Sequence, residues 1–224
     1  HQKIEDPRYY YWADKLGLLV WGELPSAYEF GPDEMQMQME QMQEFILRDA
    51  NHPCIVAWVP FNEGWGQFCG SEMYEKIKAL DSTRFVDTAS GWFSGVDSDL
   101  ESLHIYFKPV KIKDNYDKPI FLSEFGGYSY KTEGHVFNND DEYGYKSFKT
   151  REEFEDAFVA LYENEIIPAI RKGLCGTVYT QVSDVEDEIN GLITYDRKVV
   201  KVDENRVAKM SQKLFDAFDE LTHE

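Results

Sequence analysis

Cysteine is scarce in this sequence: Cys54, Cys69 and Cys175 are the only three in 224 residues. So few, so scattered, they make neither a disulfide framework nor a zinc knuckle, and all three read as buried thiols. Positive charge is scarce too. Lys and Arg number 23 against 42 Asp and Glu, for a formal charge of −19. Phosphate backbones and anionic lipid surfaces need clusters of Lys and Arg, so nucleic acid and membrane are disfavoured as partners, and a neutral or cationic ligand is favoured. No apolar run reaches the length of a membrane span, and the first residues lack the pattern of a signal peptide. No compartment follows from this. A glycine-rich phosphate turn is missing after the early strand candidates, which argues against an open nucleotide-binding sheet. A starting Met is missing as well; His1 in its place reads as the start of a piece cut from a longer polypeptide.

What is present is a core. Hydrophobic residues make up 42% of the chain and aromatics 15%, enough for one globular domain over 1–224 without covalent staples. Short apolar runs read as strands: Leu18 to Trp21, Ile55 to Val59, Arg84 to Val86, Leu103 to Tyr106, Pro119 to Leu122 and Gly176 to Val182. Most are apolar almost throughout, as strands covered on both faces must be. Between them lie amphipathic stretches. Over Pro32 to Asp49, Met35, Met39, Met42 and Ile46 share one helical face, and Pro32 suits a first turn. Glu72 to Leu80, Arg151 to Arg171 and Asn205 to Leu221 are further helices, and Thr132 to Lys149 reads as one long surface loop. Strands alternating with helices imply parallel βαβ units.

Polar residues collect where these strands end. Glu23 follows Val20-Trp21-Gly22, Asn62-Glu63 follows Val59-Pro60-Phe61, Asp87 follows Phe85-Val86, and Glu124 follows Phe121-Leu122-Ser123. The C-terminal ends of barrel strands are where active sites are built. Two carboxyl groups, Glu63 and Glu124, on separate strand ends are what glycosidic cleavage requires: one protonates the leaving oxygen while the other attacks the sugar or stabilises its cation. Asn62 would hold a sugar hydroxyl, and Trp65, Trp92 and Tyr128 offer flat apolar faces. Each residue alone has a plainer explanation. A Glu after a strand often opens the next helix, and Trp or Tyr there is commonly a core edge. His104, between Leu103 and Ile105, reads as a hydrogen-bonded core histidine, with no second His at metal-ligand spacing. The acidic run Asp184 to Glu188 reads as a solvated loop, with a calcium site as its alternative.

Taken together, "NHPCIVAWVPFNE", "HIY", "KPIFLSEFGG" and "INGLITYDR" resemble, in order and spacing, the catalytic barrel of glycoside hydrolase family 2, which holds β-galactosidases, β-glucuronidases and β-mannosidases. The resemblance covers nearly the whole chain. It implies an α/β fold, a (β/α)8 TIM barrel truncated here to its last six βα units, and no cofactor. It implies that Glu63, ending the fourth strand, is the general acid/base of a retaining double displacement and that Glu124, ending the seventh, is the nucleophile. Tyr106 on the sixth strand would bond the nucleophile, with His104 beside it in the substrate site. "DPRYYYWADKLGLLVWGELP" resembles the second helix and third strand, so the first two strands and the preceding β-sandwich domains would lie upstream of His1. A second copy of the chain is one cover for the strand edges this exposes.

The expected substrate is a glycan or simple β-glycoside with a neutral terminal sugar, β-galactosides first. Family β-glucuronidases carry Asn-x-Lys just before the glycine of the final motif, to grip the sugar carboxylate. Here the places hold Glu188 and Asn190, so a uronate would lose its cation and meet an added negative charge. Because "GTVYTQVSD" departs from the Trp-rich eighth strand of many relatives, Tyr179 or Gln181 would line the sugar site. The competing functions are a non-catalytic carbohydrate-binding remnant and a calcium-organised interaction domain.

Overall fold

Asp6 and Pro7 decide where the first helix begins. The Asp6 carboxylate accepts the Arg8 N–H at 2.9 Å, and Pro7 supplies a preset first turn, so α1 runs Pro7–Leu16. The computed structural model describes all residues except 30, 65–68, 93–95, 114–115 and 224. They form two compact units, His1–Leu103 and His104–Glu224.

In the first unit α1 leads into β1 (Val20–Glu23), α2 (Pro32–Asp49), β2 (Ile55–Val59), β3 (Phe61–Asn62), α3 (Gly70–Leu80), β4 (Phe85–Val86) and β5 (Ala89–Ser90). Strands β1, β2 and β4 lie side by side in that order, all parallel, and β3 pairs with β5 beyond them. Pro60, with no N–H to donate, separates β2 from β3. Met42 and Ile46 of α2 are buried with Phe45 against Tyr10, Ile55, Trp58 and Ile77. At the start of β2, Asp14 accepts the Cys54 N–H at 2.8 Å and meets His52 Nδ1 at 2.6 Å. Burial, with the Asp14 carboxylate beside it, pushes the Cys54 thiol up to about 12, so it is inert.

The second unit holds β7 (Ile120–Gly126), β8 (Tyr128–Tyr130), β9 (Lys146–Phe148), α4 (Arg151–Leu161), a π-helical turn (Tyr162–Ile166), α5 (Ile167–Ile170), β10 (Leu174–Thr180) and α6 (Glu204–Thr222). The division between units falls within β6 (Glu101–Ile105). Its main sheet has the order β10-β7-β6, with β10 and β7 parallel. Thr150 and Glu153 close a capping box on α4. Phe154, Phe158, Val202 and Met210 make an apolar cluster against which Tyr162 and Tyr179 pack.

Several expectations need correcting. Leu18 and Leu19 are not strand residues: both are exposed, Leu19 at 77%, and pairing starts at Val20. The strand from Pro119 runs on to Gly126, because its backbone stays paired with β10 past the polar Ser123-Glu124. The surface loop ends in β9, which pairs with β8, a partner far away in sequence. The helix from Arg151 is interrupted: Pro168 cannot donate to a carbonyl one turn back, and the ladder widens before it, with Ile167 N–H on Tyr162 O. Strands β6 and β10 are only half-buried. Of the thiols only Cys54 is buried, while Cys175 is exposed on the edge strand β10. Helices separate β1 from β2, β3 from β4 and β9 from β10, yet among the described residues none lies between β5 and β6 or between β6 and β7. The fold is therefore α/β with parallel strands, without a closed barrel among the described residues. None of the described helices is long and apolar enough to cross a membrane.

Candidate active-site residues

In the first unit, the β3–β5 register brings Phe61 beside Ala89 and Asn62 beside Ser90, and the next residue, Glu63, donates its N–H to Ser90 O at 2.7 Å. Asn62 is buried, and its Oδ1 has no hydrogen-bond partner among the described residues. Glu63 takes a left-handed backbone conformation, φ 48, which a non-glycine residue adopts only under constraint. Its half-buried carboxyl is raised above the usual range, chiefly by loss of water. His1 opposes that shift and the charge of Glu23 reinforces it. Glu23 ends β1 with its side chain 12% exposed; its Oε2 accepts the Gln2 N–H at 2.6 Å and lies 3.1 Å from His1 Nδ1.

Asp87, just after β4, is a further acidic group of this unit that the motifs alone did not assign. Burial raises it to about 7; Ser102 and Trp21, as hydrogen-bond donors, pull it down, and Glu23 pushes it up. The strand-end pattern of the sequence contained both Glu23 and Asp87, but their burial is visible only once β1, β2 and β4 are paired. Trp92 follows β5 and is 63% exposed. Trp65 lies outside the described residues.

The second unit treats its carboxylate differently. Glu124 sits inside β7, two residues before its end. Tyr106 donates its hydroxyl to Glu124 Oε2 at 2.5 Å, and the buried His104 brings Nδ1 to 3.4 Å of the same oxygen. With its only proton given to Glu124, the Tyr106 oxygen accepts from Thr180 Oγ1 at 2.9 Å. Burial, with the Glu124 charge next, pushes the Tyr106 phenol far up, so it stays a neutral donor. Tyr145 stacks flat on Tyr106, centroids 3.7 Å apart at 6°. Gly127 makes room for it: φ is 60, and a Cβ there would lie 2.2 Å from the Tyr145 ring. Sequence reasoning missed Thr180 and Tyr145, since neither carries a local signal and both act through non-local pairing.

Tyr179 and Gln181 have separate surroundings. The Tyr179 ring packs edge-on against Phe125 and Phe158, with its hydroxyl end enclosed. Gln181 follows a cis Thr180–Gln181 peptide, and its Nε2 donates to Glu188 Oε2 at 2.9 Å and Asn190 Oδ1 at 2.6 Å. Glu188 and Asn190 are thus gathered on one amide. The acidic run is not wholly solvated: Asp184 is buried, its Oδ1 2.7 Å from Lys201 Nζ and accepting the Gly191 N–H at 2.8 Å. The same ammonium donates to Tyr130 O and Ile189 O. Burial pushes Asp184 up and Lys201 down, and each charge is the other's compensation. A cation has already taken this carboxylate, and it is a lysine.

Residues 5–210 match the sequence profile of the family described as "Glycosyl hydrolases family 2, TIM barrel domain". A β-galactosidase of Thermoanaerobacter pseudethanolicus is 32% identical over 131 residues, 55% of this chain and 17% of that protein. A β-glucuronidase of Mus musculus is 31% identical over 103 residues, 42% of this chain and 16% of that protein. Among solved structures, a putative β-galactosidase from Bacteroides fragilis superimposes with TM-score 0.69 at 18% identity, over 95% of this chain and 36% of that one. The chain thus spans under a fifth of the two curated relatives' length.

Proposed function

The chain belongs to glycosyl hydrolases family 2, TIM barrel domain, and from that premise we propose that it carries the chemistry of a retaining β-glycosidase, with Glu63 as general acid/base and Glu124 as nucleophile. The observation that carries this reading is the contrast between the two carboxyl environments. Burial shifts Glu63 toward its protonated form, the direction a donor to a leaving oxygen needs. Tyr106 gives its hydrogen bond to the charged form of Glu124, as a nucleophile needs. Glu63 protonates the glycosidic oxygen while Glu124 attacks the anomeric carbon; the aglycone leaves, and water, deprotonated by Glu63, then releases the sugar from Glu124. Asn62 binds a sugar hydroxyl, and its buried Oδ1 is an acceptor for it. His104 and Tyr106 hold the nucleophile in place. Trp65 and Trp92 are sugar-stacking candidates from the sequence alone.

The substrate we propose is a neutral β-glycoside, with β-galactosides first, since Glu188 and Asn190 stand where β-glucuronidases carry their Asn-x-Lys pair. Gln181, bonded to both, is favoured over Tyr179 as the residue facing the sugar, because the Tyr179 hydroxyl is enclosed. Residues 1–224 are read as one catalytic domain working inside a longer polypeptide, whose upstream domains complete the site.

The test is turnover of aryl β-glycosides by that longer polypeptide. An aryl β-galactoside should be cleaved faster than the matching β-glucuronide. Glu124→Gln should lower kcat by about 10⁴-fold or more and abolish trapping by a 2-fluoro sugar. Glu63→Gln should slow poor leaving groups far more than activated phenols. Trapping that survives in Glu124→Gln would reassign the nucleophile.

A further inference from the structure

The second unit contains a cavity of about 340 Å³ whose lining includes neither Glu63 nor Glu124. Its lining includes four aromatic residues, Tyr106, Phe107, Tyr128 and Tyr145, and two lysines, Lys108 and Lys146. The volume is at the small end for ligand sites and suits a single ring. Phe107 is 80% exposed at this mouth, although it lies 5.3 Å from Tyr145, so a large apolar face is presented to solvent.

In a chain with 42 acidic and 23 basic residues, neither Lys108 nor Lys146 forms an ion pair among the described residues. The Lys146 ammonium instead rests 5.2 Å from the ring centroids of both Tyr128 and Phe148, held by ring faces rather than by a carboxylate. The one carboxylate of the lining, Glu165, accepts the Val110 N–H at 2.6 Å and so fastens the loop after β6. Flat walls with two cations lacking acidic partners are complementary to a ring that carries an anion. Within a Debye length of about 8 Å these local charges outweigh the distant net charge.

We propose that this cavity binds a ring compound bearing one anionic group, an acidic sugar or an aryl carboxylate, stacked on the aromatic wall with its anion between Lys108 and Lys146. The site does not depend on Glu63 or Glu124 being catalytic. Tyr106 couples the two, since its ring lines the cavity and its hydroxyl holds Glu124.

Calorimetric titration of the chain with four probes tests this: galacturonate against galactose, and benzoate against benzyl alcohol. At least one anionic probe should bind about tenfold more tightly than its neutral counterpart, with the difference shrinking in high salt, and the pair that shows it identifies the ring class. Lys108→Gln with Lys146→Gln should erase the preference, and Tyr145→Leu should weaken both members of the pair. Glu63→Gln should leave binding intact, which separates the cavity from the catalytic residues. Circular dichroism verifies that each variant folds. Absence of binding, equal binding of charged and neutral probes, or a preference that survives loss of both lysines would overturn the proposal.

Discussion

The units His1–Leu103 and His104–Glu224 each hold one carboxyl group of the proposed reaction, and they surround it differently. The first has a continuous apolar core around Phe45 and Trp58, and acids at its strand ends: Glu23, Glu63 and Asp87. There burial, reinforced by the charge of Glu23, raises the Glu63 and Asp87 carboxyl groups above their usual range. The second gives these two carboxylates partners, a phenol and an imidazole for Glu124 and an ammonium for Asp184. In the proposed reaction the same residue type would serve as acid or nucleophile according to whether water has been removed or replaced.

The largest effect that could break this contrast lies in the second unit. Lys201→Met leaves the Asp184 charge buried without compensation, along with the carbonyls of Tyr130 and Ile189. It should cost about 3–5 kcal/mol in urea denaturation, comparable to the about 3–5 kcal/mol expected for emptying the Phe45 site in the first unit. A cost near zero would mean the pair is not charged in the native state.

Next comes the pH dependence of the first unit. The Asp87 carboxyl is raised in the fold to about 7, so the folded protein holds a proton that the unfolded chain releases near 4. The stability this contributes is fully present below about 4 and is lost as pH rises through about 7. It amounts to on the order of a few kcal/mol for a shift of this size. Denaturation across that window should show the decline in the parent chain and a flatter profile in Asp87→Asn. Parallel profiles would place the buried charge elsewhere.

Smaller still is the support that Tyr106 gives to Glu124. Tyr106→Phe removes a hydrogen bond to a charged group, worth about 1.5–3 kcal/mol, so kcat should fall roughly 10- to 150-fold and the acid limb of the profile should move to higher pH. Unchanged kinetics would shift the burden to His104. The smallest effect belongs to Glu23→Gln. The Glu23 charge is a secondary cause of the raised Glu63 carboxyl, so its removal should move the alkaline limb of kcat/KM slightly to lower pH. An upward movement would show that Glu23 acts through His1 instead.

Where a periodic pattern and a terminal signal coincide, as in α2 with Pro32 at its start, the sequence shows both extent and face. The strand carrying Glu124 was legible only to Leu122, because polarity at Ser123 and Glu124 hides backbone pairing that continues. Lys146–Phe148 is short and mostly exposed, and nothing in its composition marks it as a strand; β8 makes it one. The two carboxyl groups stood out through their place just after largely apolar runs, Val59-Pro60-Phe61 for Glu63 and Phe121-Leu122-Ser123 for Glu124. Their supports did not: Thr180, Tyr145 and the His1–Glu23 contact arise from residues brought together by topology.

The left-handed backbone at Glu63 has a consequence in evolutionary drift. A side chain at φ 48 is retained against its own conformational cost, of order 1 kcal/mol or more, and burial of its carboxyl adds to that cost. A lineage that no longer needed the acid would gain stability by admitting glycine or asparagine at this position. On the proposed reading of Glu63 as the acid, the residue after Asn62 serves as a marker: glutamate is kept while proton transfer is needed, and glycine is admitted once it is not.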